Sequence, residues 1–379
     1  MNIFIAGDCC PVNRVLEKIH SGKDDEIWGE IIKSEITKSD YSIVNLECPI
    51  IDTDTPGYLL PTRPSLYSDE SSIVALRKLG IDCVTLANNH FLDCKEQGVA
   101  STLTILRKYN FDFVGGGMSL KEAQRTLYKV IEGKTIAFIN FCEHEFSIAT
   151  DCCAGSAPLD MVDNYHQIKD AKEKSDFVVV IIHGGSEHYQ LPSPRMKKTY
   201  HWFVDLGADV IVNHHQHCIS GVETYNGKPI FYGIGNFCFD YPGLQKPLWK
   251  YGMAITLQLI ENSISYKLIP FSQCAEHPGI KELSPDELAD FELQIRDLSN
   301  IILNDKELSN NFENYMVSRY SEMELPLTPY SNRYLLSAYL RNLLPSFLTK
   351  KRIMPLLNHV ECESHRDIFV KYLQNYLFN

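Results

Sequence analysis

Phe177-Val178-Val179-Val180-Ile181-Ile182, followed at once by His183, is an apolar run with no polar alternation. A strand wetted on one face alternates, whereas one covered on both faces does not. This stretch therefore reads as a buried parallel strand between helical layers. Working outward from it, further short apolar runs fall at 3–6, 42–45, 83–86, 111–114, 135–140 and 210–212. Helix-like segments at 71–79, 95–108, 162–174 and 194–206 lie between them. The alternation implies βαβ units, an α/β class, and a central sheet with helices on both sides.

The rhythm changes after His217. Stretches 220–225 and 229–233 bracket Asn226-Gly227, a strong hairpin signal, and 253–260 and 263–270 bracket Glu261-Asn262 in the same way. These read as antiparallel strands, expected to form a second sheet packed on the first. From about residue 281 the chain reads as helical. Ser284-Pro285-Asp286-Glu287 is a capping-box start with Pro at the first helical position. Segments 286–303, 307–320, 332–344 and 364–377 follow. Tyr334-Leu335-Leu336, Tyr339-Leu340 and Leu343-Leu344 repeat at helical spacing. Such a face usually meets a core, so the expectation is packing on the main domain or on a second copy of the chain, ahead of a membrane surface.

A chain of 379 residues, 44% hydrophobic and 22% charged, can bury one broad α/β domain with a smaller appendage. Its formal net charge of −12 repels polyanions, and the basic clusters Arg195-Met196-Lys197-Lys198 and Lys350-Lys351-Arg352 are short. No nucleic-acid partner is expected. No apolar stretch reaches the roughly eighteen residues of a transmembrane segment. No basic segment with a long apolar region precedes the first strand, and the twelve cysteines form no regular framework. Reduced thiols and a cytoplasmic location are the expectation.

The chemistry sits where these strands end. Gly7-Asp8, Asn45-Leu46-Glu47, Ala87-Asn88-Asn89-His90, His183 and Asn213-His214-His215-Gln216-His217 each follow a strand. In an open α/β sheet the C-terminal strand ends share an edge, and ligands bind in the crevice outside it. A single Asp or Asn there is more often a turn former, and a single His more often structural. Five such ends delivering carboxylate, amide and imidazole together suit Zn, Mn or Fe, and are too rich in nitrogen for Ca.

These residues carry a resemblance. Gly7-Asp8, Asn45-Leu46-Glu47-Cys48-Pro49-Ile50, Ala87-Asn88-Asn89-His90 with Asp93, and His183 with Glu187 resemble the bacterial CapA family. So do Gly207-Ala208-Asp209, His215-Gln216-His217, Lys228-Pro229-Ile230 and Gly233-Ile234-Gly235-Asn236-Phe237, in the same order along about residues 1–270. That family is named for poly-γ-glutamate capsule synthesis and belongs to the calcineurin-like metallophosphoesterases. The resemblance implies a four-layered α/β/β/α sandwich over residues 1–275, with a C-terminal helical appendage over 276–379. It also implies two divalent metal ions: Asp8 and His217 on the first, Asn89, His183 and His215 on the second, and Glu47 at the bridging position. His90 is the implied acid for the leaving oxygen.

Two positions depart from the wider superfamily. Cys10 stands where a His is usual, as either a soft ligand or a buried thiol, and Glu47 replaces a bridging Asp. Glu187 is a candidate base or orienting carboxylate. Arg63 and Asn236 are candidates for binding a small-molecule or polymer-derived anionic substrate. His214 is expected to point away if its segment is extended, and His144 is not expected to be a ligand. The leading function is a metal-dependent hydrolase of a phosphate ester in surface-polymer metabolism. The alternatives are an amide hydrolase or transferase on a poly-γ-glutamate-like chain, and a non-catalytic component of capsule assembly.

Overall fold

The chain is described by a computed structural model covering residues 1–51, 66–241, 247–260, 263–319 and 349–378, with single positions between 334 and 344. Arg63, the turn at Glu261-Asn262 and most of the segment 332–344 lie outside the described residues.

Two sheets face one another. The first runs in the order Ile280–Lys281, Ser263–Gln273, Tyr251–Ile260, Asn2–Cys10, Tyr41–Leu46, Cys83–Thr85, Asp112–Val114, and Asn236–Phe239 also pairs with Asn2–Cys10. The second runs Val222–Tyr225, Lys228–Phe231, Val210–His214, Phe177–His183, Lys134–Cys142, Leu127–Ile131. Four strands are parallel in the N-terminal half of the first sheet, and four in the centre of the second.

Alternate residues of each buried strand serve different layers. Ile3, Ile5, Val179 and Ile181 meet in the apolar layer between the sheets. Phe4 and Ala6 pack outward with Val15, Ile32, Ile73 and Leu103 of the helices covering the first sheet. Val178, Val180 and Ile182 pack outward with Ile168, Met196 and Phe203 of the helices covering the second. This double coverage is why 177–182 contains no polar residue, and each fully buried aliphatic side chain there contributes roughly 2 kcal/mol. The architecture is α/β/β/α.

The early strands are therefore not one sheet with a later second sheet beside it. They divide between two, and the later hairpins extend both. Apolar runs report burial on both faces, which every parallel strand of either sheet has, so they do not tell one sheet from two. The chain enters the second sheet through Leu127–Ile131, an edge strand overlooked in the sequence because alternate residues face solvent. A tight turn with positive φ at Glu132 and Gly133 joins it to Lys134–Cys142. The Asn226-Gly227 turn has positive φ at both residues and joins Val222–Tyr225 to Lys228–Phe231, as the dipeptide indicates.

Gly7 sits where strand register slips on both sides of Asp8. A Cβ at Gly7 would lie 1.8 Å from the Gly235 carbonyl oxygen, while the Asp8 N–H donates to that oxygen at 3.3 Å. The irregularity re-aims Asp8 into the crevice between the sheets. Gly7→Ala is expected to destabilise the protein by about 3 kcal/mol or more through backbone displacement. Urea unfolding checks it, and a loss below about 1 kcal/mol contradicts the close approach.

Ser284 and Glu287 form the capping box expected at the start of Pro285–Leu303. Leu298 and Ile302 of that helix enter the outer core of the second sheet. Asp305–Ser318 follows, and after the undescribed stretch come Lys350–Glu361 and Glu363–Phe378. The sequence reading overlooked Lys350–Glu361, which carries Pro355 inside it. Glu363–Phe378 docks on the sandwich through Arg195, whose guanidinium reaches Glu143 at 2.8 Å and Asp367 at 2.7 Å. Ser364 Oγ donates to Glu143 at 3.0 Å. Among the described residues no helix is long and apolar enough to cross a membrane, and none of the twelve cysteines is in a disulfide.

Candidate metal centre

The strand ends converge. Asp8, Glu47, Asn89, His183, His215 and His217 are each at most 4% exposed, so their polar atoms must find partners inside the protein. Their ligating atoms form two groups, Asp8–Glu47–His217 and Glu47–His183–His215, within each of which all atoms lie inside 4.8 Å. Glu47 belongs to both. Its Oε1 is 3.5 Å from His183 Nε2 and 3.7 Å from His217 Nε2. His217 Nδ1 is 3.4 Å from Asp8 Oδ2. Asn89 Oδ1 lies 3.1 Å from His183 Nε2, and His215 Nδ1 reaches the same nitrogen at 3.1 Å.

Neighbours hold these groups in place. Asn45 Nδ2 donates to Asp8 Oδ1 at 2.7 Å, and the His215 N–H donates to Asp8 Oδ2 at 3.1 Å. Asn236 is fully buried, with Oδ1 2.9 Å from His217 Nδ1, so it sits behind a ligand and orients it. His215 and His217 have φ of 90° and 53°, a left-handed backbone that costs a non-glycine residue about 1–3 kcal/mol and gathers at functional sites. Because the segment is not extended, His214 does not turn away: its Nδ1 is 3.5 Å from Asp8 Oδ1. It belongs to neither ligand group.

The electrostatics fit a cationic occupant. Both Glu47 oxygens are buried without a hydrogen-bond partner. Burial, followed by the charges of Asp8 and Glu187, pushes the Glu47 carboxyl well above its ordinary range. Burial also opposes ionisation of Asp8, but the imidazoles of His214, His217 and His183 prevail and hold it low. Burial and the surrounding imidazoles, His215 first, push His183 far down, leaving the neutral ring that binds metals. For His217 burial acts downward, yet Asp8 and Glu187 lift it. Glu187 is lowered to about 2 against its burial by His217, His215, His188 and His90, so it is an anion rather than a base poised near neutrality. A carboxylate shared by two ligand sets and lacking any donor is the position a pair of divalent cations would occupy.

A stability consequence follows for metal-free protein. A carboxyl raised in the folded state makes the fold lose stability as pH climbs from the unfolded value of about 4.3 through the raised folded value. Glu47→Gln removes that loss. The metal-free variant is expected to melt above wild type by a margin that widens between about pH 4 and about pH 7. Thermal melts in chelator measure it, and a margin that shrinks with rising pH contradicts the stated origin.

The centre opens onto a cavity of about 320 Å³. Asn89, His90, Glu187 and His217 line it from the sandwich, and Tyr315, Asn358, His359 and His365 from the C-terminal helices. His90 Nδ1 is 2.7 Å from Asp93 Oδ2, which also accepts from the Leu66 N–H at 2.7 Å. Cys10 is fully buried in the core beneath the first sheet and joins no ligand group among the described residues. His144 pairs with Glu363 at 2.8 Å and does not line the cavity. Sequence reasoning missed Asn45 as the support of Asp8, and Glu145, whose Oε2 accepts from Asn89 Nδ2 at 3.0 Å. It also missed the C-terminal half of the cavity. Glu145 was findable, three residues past the end of Lys134–Cys142; the C-terminal residues gave no signal beyond helical periodicity.

The sequence profile of the bacterial capsule synthesis protein PGA_cap matches residues 2–241. The chain is 33% identical over 233 residues to a Bacillus subtilis protein named PGA biosynthesis protein CapA, covering 60% of this chain and 61% of that one. It is 30% identical over 247 residues to a Bacillus anthracis capsule biosynthesis protein CapA, covering 63% and 60%. The match thus spans about three fifths of the length of these curated relatives. Among solved structures, a putative 5′-nucleotidase from Staphylococcus aureus aligns at 14% identity with a TM-score of 0.41, over 78% of this chain and 58% of that one. With its strand-end ligands in sequence order and a profile match covering most of the sandwich, the chain belongs to the bacterial capsule synthesis protein family PGA_cap.

Proposed function

We propose that this chain is a metal-dependent hydrolase, cytoplasmic, that cleaves a phosphate ester of a surface-polymer precursor. The observation that supports it most is Glu47, buried, unpartnered and common to two ligand groups. Asp8 and His217 would hold one divalent cation, and Asn89, His183 and His215 the other. Such a pair, when bound, neutralises charge on the attacking and leaving oxygens and makes water acidic enough to attack near neutral pH. The chain's own residues do the rest. Asp93 accepts from His90 Nδ1 and favours the protonated imidazole, whose Nε2–H is then available to a leaving oxygen in the cavity. Glu187 stays anionic and balances the imidazoles. The buried floor of the cavity limits water to the reacting positions.

The names of the curated relatives favour a second reading in which the same centre acts on a γ-glutamyl amide. A turnover screen of metal-loaded protein against phosphomonoesters, phosphodiesters and γ-glutamyl amides separates the two. Phosphate release that requires metal and His183 is expected, and amide cleavage alone replaces the first reading by the second. No turnover on any class, with capsule-related activity intact in His90→Ala, leaves a non-catalytic assembly role.

A further inference from the structure

A third cluster of ligating side chains stands apart from the two groups that share Glu47: Glu145, Cys362 and His365. Glu145 lies inside the stretch matched by the family profile, whereas Cys362 and His365 lie outside it. The cluster therefore belongs to this chain's C-terminal helices as much as to its sandwich. Cys362 Sγ is 3.8 Å and His365 Nδ1 4.0 Å from one oxygen, Glu145 Oε1. Donors on a tetrahedral zinc with bonds of about 2.0–2.3 Å stand about 3.3–3.5 Å apart, so closure needs shifts of only about half an ångström.

The surroundings hold the donors in place. Cys362 is fully buried, in extended backbone between Lys350–Glu361 and Glu363–Phe378. The Arg195 bridge to Glu143 and Asp367, with the Ser364–Glu143 hydrogen bond, fixes the start of the second helix. A buried thiol alone is usually structural. A separate feature points to a ligand here. Asn358, four residues before Cys362 and 9% exposed, has an Oδ1 with no partner and lines the same cavity as Glu145 and His365. Its Nδ2 is 2.9 Å from His365 Nδ1. A thiol, an imidazole and a carboxylate with an idle amide oxygen beside them form a donor set of zinc type.

We propose that Glu145, Cys362 and His365 bind a third divalent cation of zinc type, separate from the pair around Glu47, and that this ion ties the C-terminal helices to the rim of the cavity. Glu145 links it to the main centre, since Oε2 accepts from Asn89 and Oε1 is 3.5 Å from His215 Nε2. The ion adds positive charge to the cavity wall, where an anionic substrate group remote from the reacting bond would sit. That last consequence rests on the hydrolase reading; the ion site does not.

Full-length protein stripped of metal and reloaded with Co(II) tests it. Wild type is expected to bind three equivalents and to show a thiolate-to-cobalt charge-transfer band in the near ultraviolet. Cys362→Ser should bind two equivalents without the band, and His365→Ala should weaken or shift it. His183→Ala should keep the band while losing cobalt from the pair, so failure of the hydrolase centre and failure of this site remain distinguishable. A wild type with no band, or a band that persists in Cys362→Ser, overturns the proposal. Circular dichroism confirms that each variant is folded, and His365→Ala carries the test if Cys362→Ser is not.

Discussion

Glu47→Gln is expected to lower metal-dependent turnover by about 10³-fold or more, because it removes the one ligand shared by both cation positions. The amide keeps the shape of the side chain and a neutral oxygen, but it withdraws the negative charge that would sit between two cations. Both affinities should fall together, unlike His217→Ala, which should weaken the Asp8 side, or His215→Ala, which should weaken the other. In metal-free protein the same substitution should stabilise the fold, since Glu47 is a buried carboxyl without a donor. Opposite effects on turnover and on metal-free stability mark a residue kept for binding ions rather than for packing. Steady-state kinetics with metal titration checks the first effect. Turnover within about tenfold of wild type at saturating metal contradicts the bridging role.

His90→Ala should cost about 10²–10⁴-fold in kcat on esters with poor leaving groups and much less on activated aryl esters. A proton donor matters in proportion to the basicity of the departing oxygen, and an aryl oxide leaves without help. Metal content should not change, because His90 lies outside both ligand groups and is held by Asp93. Asp93→Asn should reproduce a smaller version of the same leaving-group dependence, by loosening the ring and withdrawing the anion that favours its protonated form. Equal losses on both substrate types would show that His90 only positions substrate.

Much of this was legible in the sequence because burial and chemistry leave separable marks. Continuous apolar runs located the parallel strands, and the residues immediately after them were the ligands. Asp8, Glu47, Asn89, His183, His215 and His217 come together as strand-end logic and the family resemblance placed them. Less legible was how the strands divide between sheets, since double-sided burial looks the same in either. The orientation of His214 was misjudged because no local pattern announces positive φ at His215 and His217. The C-terminal wall of the cavity was invisible for a different reason. Asn358, His359, Cys362 and His365 sit on helices whose amphipathic spacing is satisfied by packing alone, and their approach to Glu145 depends on tertiary docking through Arg195. Asn236 read as a rim turn and proves to be the support of His217.

The central claim is that Glu47 lies between two cations. Crystals grown with manganese, measured on both sides of its absorption edge, test this most directly. Two anomalous peaks about 3.5–4 Å apart, one beside Asp8 and His217 and the other beside His183 and His215, with Glu47 reaching both, are the expected result. A single peak remote from Glu47, or a Glu47 carboxylate hydrogen-bonded to protein with no peak beside it, contradicts the account.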